Sequence, residues 1–187
     1  MPPIVTCGWR GAEVEQLIDR AHAAIVEAMS GYLRELGWEL VLEYSFSRYG
    51  ERGSVDIVGW HPPTRSLLIV EVKSRLWDIQ ETLMKLDRKR LLVPPLLAAD
   101  RLWRAERIGA VLALPDSRAD RRAFADHATI FAAALPSRGR AVGRWLRRPD
   151  GDLSGAFMVR IARYLVIRRR ATRRAREHPR VRLRGGG

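Results

Sequence analysis

One cysteine, Cys7, stands among 187 residues. A lone cysteine excludes an internal disulfide and any zinc site built from several thiolates. Histidine is almost as scarce. His22, His61, His127 and His178 are scattered, with no two at ligand spacing along one helix, so a zinc enzyme is not expected. No long apolar run occurs, and a membrane-spanning helix needs one of about 18 residues or more. The start, Met-Pro-Pro-Ile-Val-Thr-Cys-Gly, lacks the charged beginning and apolar stretch of a secretory signal. These absences predict a cytoplasmic protein with no membrane partner. Acidic residues are nearly missing from the far end. Residues 160–187 hold eleven arginines and one acid, Glu177, so most of the chain's net charge of +13 lies there. A segment of that kind favours a polyanion, nucleic acid first and an anionic membrane surface second. A solubilising end is the plain alternative.

What is present is an ordinary globular composition, 47% hydrophobic and 29% charged, long enough for one domain with a real core. Val14, Leu17, Ile18, Ala21, Ile25, Met29, Leu33 and Leu36 follow helical spacing, which predicts a helix over 11–36 that stops at Gly37. Alternation over 38–46 predicts a strand, followed by a loop over 47–53. Two further strands, 54–60 and 67–73, flank the turn His61-Pro62-Pro63-Thr64-Arg65-Ser66. A helix over 76–92 is expected to end at Pro94-Pro95, with a short helix over 96–105. Residues 108–114 read as a strand buried on both faces. A helix near 119–135, capped by Asp116-Ser117, and a last strand over 141–146 complete the body. The order argues for an α/β fold, a central mixed sheet flanked by helices. The domain is drawn at 10–148, with a basic extension over 149–187 that includes a helix over 157–177.

Charge stands where the hairpin should be apolar. Asp56 sits inside Ser-Val-Asp-Ile-Val-Gly-Trp, and Glu71 and Lys73 inside Leu-Leu-Ile-Val-Glu-Val-Lys. Buried charge is costly unless it is paired or metal-bound. A turn centred on Pro63-Thr64 sets Trp60 opposite Leu67 and Asp56 opposite Glu71. Opposed side chains have Cβ atoms roughly 4.5–5.5 Å apart. Two carboxylates that close repel one another unless a cation lies between them. Period-two alternation puts Lys73 on the face of Glu71 and sends Val72 into the core, with its carbonyl near the site edge. Oxygen donors of this kind suit Mg²⁺ or Mn²⁺. Such a site fits phosphodiester hydrolysis, with Lys73 in an electrostatic role.

At these residues the chain resembles the PD-(D/E)xK nuclease superfamily, the restriction-endonuclease-like fold. The match is Asp56, fourteen intervening residues, then Glu71-Val72-Lys73, with Gly53-Ser54-Val55-Asp56 resembling the Gly-x-x-Asp variant. Holliday-junction resolvases and very-short-patch repair enzymes belong to this group. The resemblance covers about residues 12–115. It implies a core of helix, three antiparallel strands, helix and a further strand. It also implies Asp56 and Glu71 as metal ligands, Lys73 as the catalytic lysine, DNA as the partner and a homodimer as one way to cut both strands. Three auxiliary positions are candidates. Many members carry a glutamate in the first helix, but Glu27 lies opposite that helix's apolar stripe. Glu43 can reach the site from the first strand, and Gln80 from the start of the helix after the motif. Each has a solvent-facing alternative.

Arg48, Tyr49 and Arg52 can grip a phosphate backbone, as can Lys85, Arg88 and Lys89 on the helix after the motif. Surface ion pairs are the plainer reading of the first group, and a solvated helix face that of the second. The expected function is a metal-dependent DNA endonuclease. The alternative is a non-catalytic nucleic-acid-binding or assembly module on the same fold. DNA against RNA is not legible in the sequence.

Overall fold

Ala21, Ile25, Met29 and Leu33, spaced one turn apart, are all buried, and they seat the first helix, α1 (Trp9–Glu35), on a sheet. The computed structural model describes residues 9–48 and 50–161, with side chains from residue 14 onward apart from residue 49. After α1 the chain forms a meander of three antiparallel strands, β1 (Glu39–Arg48), β2 (Glu51–His61) and β3 (Ser66–Val72). The loop expected over 47–53 is instead a tight hairpin, in which Arg48 pairs with Glu51 and Ser47 with Arg52. A single 3-10 turn, Pro62–Thr64, links β2 to β3.

The next helix, α2, runs Ile79–Asp100 and is capped by the Asp78 carboxylate, which accepts from the Glu81 N–H at 2.8 Å. It does not end at Pro94-Pro95, and no separate helix follows. The prolines remove the N–H groups that would bond the carbonyls of Arg90 and Leu91. Val93 and Leu97, buried on either side of them, hold the helix to the sheet across the gap.

Strand β4 (Arg107–Pro115) lies parallel to β3 and is buried along nearly its whole length. The single helix expected over 119–135 is two, α3 (Arg118–Asp126) and α4 (Ala128–Ala134), broken at His127. The reason is aromatic. The Phe124 and Phe131 rings stack with centroids 4.1 Å apart, whereas seven residues of one helix advance about 10 Å.

The strand expected over 141–146 is a helix, α5 (Arg140–Arg147), preceded by the short β5 (Ser137–Arg138). The last strand of the described chain is β6 (Leu153–Val159), parallel to β4. The sheet therefore continues past the boundary drawn at residue 148. Of the basic helix expected over 157–177, residues 157–159 belong to β6, and 162–177 lie outside the described residues.

The mixed sheet has the order β1-β2-β3-β4-β6-β5. One apolar layer joins α1 and α5 to one face, through Ile25, Met29, Leu68, Val70, Trp145 and Leu146. The other joins α2, α3 and α4 to the opposite face, through Leu67, Ile69, Leu97, Leu112 and Phe131. Helix α5 sits close because two glycines open the sheet beneath it. A Cβ on Gly109 would lie 2.4 Å from the Trp145 ring, and one on Gly155 2.6 Å from Val142. Among the described residues no helix is long and apolar enough to cross a membrane.

Candidate functional site

Strands β2 and β3 pair from His61–Ser66 as far as Ile57–Val70 and then part. Trp60 faces Leu67, so the register is the one the turn predicts, and carried one residue further it sets Asp56 against Glu71. At the fork the Asp56 carboxylate replaces the ladder, its Oδ2 accepting the Val72 N–H at 2.6 Å. An acid in this strand therefore has a structural task. It satisfies a backbone donor that the parting strands would leave without a partner.

The opposite edge of β2 is interrupted at the same level. Leu42 pairs with Ile57 and Tyr44 with Val55, but Glu43, between them, has φ of 52°. A glutamate in the left-handed region of a strand is strained by roughly 1–3 kcal/mol. The strain accompanies a change of phase in β2. Val55 packs in the α2–α4 layer and Ile57 in the α1–α5 layer, although two residues apart in a regular strand share a face. Asp56 is the residue at which the phase slips. This detail has no signal in the sequence.

Helix α1 brings His22 to Asp56, with Nε2 3.5 Å from Oδ1. His22 is not among the residues the sequence singles out. Its one legible signal is its place one position past buried Ala21, on the edge of the α1 stripe. The contact with Asp56 raises the His22 pKa against the lowering effect of its burial. For Asp56, burial by itself would raise the pKa. The hydrogen bonds from His22 and Val72 outweigh it, and the carboxyl is held below its ordinary value.

Glu71 is 3% exposed at the end of β3. Its Oε1 lies 3.0 Å from Lys73 Nζ, and its Oε2 is held by Lys89 Nζ, which comes from α2 on the other side. The sequence groups Lys89 with surface cations, yet it is turned inward onto Glu71. The four-residue spacing from Lys85 hides this, because only α2's docking angle decides which of the two faces the sheet. Lys85 is exposed and pairs with Glu81 at 2.8 Å.

The other sequence candidates are more dispersed. Glu43 and Gln80 are exposed, and so is Glu27 on α1. Val72 gives its N–H to Asp56 and buries its side chain. Arg48 and Arg52 lie at the β1–β2 hairpin end, and Arg88 reaches that end by pairing with Glu51 at 3.0 Å. Tyr49 lies outside the described residues.

The arrangement is two carboxylates, two ammonium groups and one imidazole around a strand fork. Two carboxylates are a hard-oxygen set of the kind Mg²⁺ takes, with water and substrate filling the remaining positions. The fit carries one condition. Both Glu71 oxygens are engaged by lysines, so a cation binding there displaces at least one ammonium. No group of three His, Cys, Asp or Glu side chains among the described residues is placed to hold a metal ion. Comparison with protein-family models, with curated proteins and with solved structures finds no match.

Proposed function

We propose that this chain is a metal-dependent nuclease that hydrolyses phosphodiester bonds, with DNA as its substrate and the cytoplasm as its place of action. The observation that carries the reading is the strand fork. Asp56 binds the Val72 N–H there, one residue past Glu71, and Lys73 lies on Glu71. Charge of this density at the end of a buried strand is costly for a scaffold alone. The resemblance to the PD-(D/E)xK nucleases rests on the same three residues and on the order of helix, three antiparallel strands, helix and parallel strand.

In this reading Asp56 and Glu71 hold Mg²⁺ or Mn²⁺, with the Val72 carbonyl as a further oxygen donor. The cation supplies charge neutralisation at the phosphate and activation of water. Lys73, a third exposed, keeps positive charge where the phosphate oxygens gain negative charge. Lys89, from α2, occupies the second Glu71 oxygen and would give way to the cation. His22 orients Asp56, whose second oxygen is tied to Val72.

One observation favours a non-catalytic binding module instead. The lysine clamp already balances Glu71 without any metal. Cleavage of supercoiled plasmid and of a single-stranded circle separates the two readings. The assay compares Mg²⁺, Mn²⁺ and EDTA for wild type, Asp56→Asn and Lys73→Met. The expected result is metal-dependent cutting by wild type that both substitutions abolish. Equal inactivity of all three proteins on every substrate would overturn the nuclease reading and leave the binding module.

A further inference from the structure

We propose that the groove between α1, α5 and β6 is an exosite that grips the phosphate backbone of a nucleic-acid strand leaving the Asp56–Glu71 cluster. The groove encloses about 1030 Å³ and is lined by Arg140, Arg144, Arg147 and Arg160, with Tyr32 and Phe157 along its wall. Helix α5 presents this face by necessity. Val142, Gly143, Trp145 and Leu146 are buried, so its arginines must point outward. The helix is held firmly. Trp38 Nε1 donates to the Leu146 carbonyl at 2.8 Å, and Trp145 Nε1 donates to the Gly151 carbonyl at 2.9 Å.

The charge on this face is uncompensated among the described residues. Among the described residues no carboxylate lies within ion-pair distance of Arg140, Arg144 or Arg147, and Arg147 is bonded only to the Gly143 carbonyl of its own helix. The one acid in the groove, Asp116, is engaged by Arg121 at 2.6 Å and lies 3.7 Å from Arg160. Like charges one helical turn apart destabilise a helix, so this row is relieved by an anion. The chain's own arginine-rich end has the wrong sign to supply one. Around the strand fork, by contrast, Lys73, Lys85, Arg88 and Lys89 are all paired. A second cavity of about 910 Å³, which shares Arg144 with the groove and opens toward the start of the parallel strands, carries Glu106, Asp150 and Asp152 among its arginines and is the poorer anion site.

Position joins the groove to the fork. Val72 is level with Ala113, and Ala113 with Phe157, so both features lie at the same end of the parallel strands. From Asp56 on β2 to Phe157 on β6 is three strand spacings, about 14 Å. From His22 to Tyr32 along α1 is about 15 Å. The two routes agree, because His22 touches Asp56 and Tyr32 stacks on Phe157 with centroids 6.0 Å apart. A strand rising about 3.4 Å per nucleotide covers that gap in about four nucleotides.

The inference deepens the proposed function, but its test does not depend on catalysis. Binding of a labelled DNA duplex and of the matching single strand is measured in EDTA by anisotropy over a salt series. The full chain is compared with Arg140→Gln/Arg144→Gln/Arg147→Gln and with a charge-matched control, Arg104→Gln/Arg118→Gln/Arg122→Gln. Removing one arginine–phosphate pair lowers the salt slope by about 0.9 on duplex and about 0.7 on a single strand. By that rule the α5 triple variant should reduce the slope by about two to three units on at least one of the two substrates, and the control by less than about one. Thermal melting confirms that both variants fold. Equal reductions in the two triples would overturn the exosite. So would an unchanged DNA slope together with abolished binding to phosphatidylserine vesicles, which would assign the face to a membrane. Absence of nuclease activity leaves this result readable, since nothing is cut in EDTA.

Discussion

The Asp56 carboxylate accepts the Val72 N–H at 2.6 Å, at the point where β2 and β3 cease to pair. A side chain thus finishes a backbone ladder, and its removal strands a buried donor. Asp56→Ala should cost about 1–3 kcal/mol. Asp56→Asn keeps an acceptor and should stay within about 1 kcal/mol of wild type, while abolishing any metal-dependent cleavage. Urea denaturation measures the first pair of values. An Asp56→Ala variant as stable as wild type would show that the bond is dispensable.

Glu71 is gripped from two sides, by Lys73 on its own strand and by Lys89 from α2. Lys89→Met removes the more buried partner, and breaking a buried pair costs roughly 3–5 kcal/mol. The remaining ion pair with Lys73 places the expected cost near the lower figure. Glu71→Gln/Lys89→Met should recover part of it, because the buried carboxylate is then neutral and the Lys73 ammonium, a third exposed, stays in reach of water. Urea denaturation of the single and double variants checks this. If a divalent cation binds Glu71, Lys89→Met should also lower the Mg²⁺ concentration giving half-maximal activity. The opposite shift would mean that Lys89 assists the metal and does not compete with it.

His22 and Asp56 make stability depend on pH in opposite senses. The folded His22 pKa lies above its ordinary 6.5, mainly through its bond to Asp56. Its contribution is full below pH 6.5 and is lost as pH rises through the folded value. The folded Asp56 pKa lies below 3.8, because the His22 and Val72 bonds outweigh burial. Its contribution is present above pH 3.8 and is lost as pH falls through the folded value. In metal-free protein the pair therefore stabilises most between these limits. Ring-proton NMR should find that Asp56→Asn lowers the His22 midpoint. An unmoved midpoint would mean that the pair does not persist in solution.

Gly109 admits the Trp145 ring, and a Cβ there would lie 2.4 Å from it. Gly109→Ala should destabilise by about 1–3 kcal/mol, the usual cost of overpacking. Gly109→Ala/Trp145→Leu, with a smaller partner, should recover part of that cost. Thermal melting of the two variants checks both values. A Gly109→Ala variant of unchanged stability would mean that α5 is free to lift away from the sheet.

The hairpin is legible in the sequence because two short-range rules meet there. The turn Pro62–Thr64 fixes where the strands begin, and period-two alternation carries the register to Asp56 and Glu71. Helix α1, strands β1 to β4 and the cap at Ser117 are legible for similar reasons, being local patterns of spacing and capping. His22, Lys89 and the phase slip beside Glu43 are not. Each depends on how one element packs against another distant in the chain. Helix α5 reads as a strand because Ala-Val-Gly-Arg-Trp-Leu is too short for its period to decide between the two.

The sequence by itself determined an α/β chain, a basic end and an acidic hairpin with a lysine beside it. These follow from composition and from interactions within a few residues. Tertiary structure alone decided that α1 and α2 close on that hairpin from opposite faces, delivering His22 to Asp56 and Lys89 to Glu71. It also decided that α5 turns its arginines toward the same end of the sheet. The physical reason is that a helix's docking angle is set by the shape of the surface it covers. Here Gly109 and Gly155 open that surface, and no local pattern within α5 encodes them.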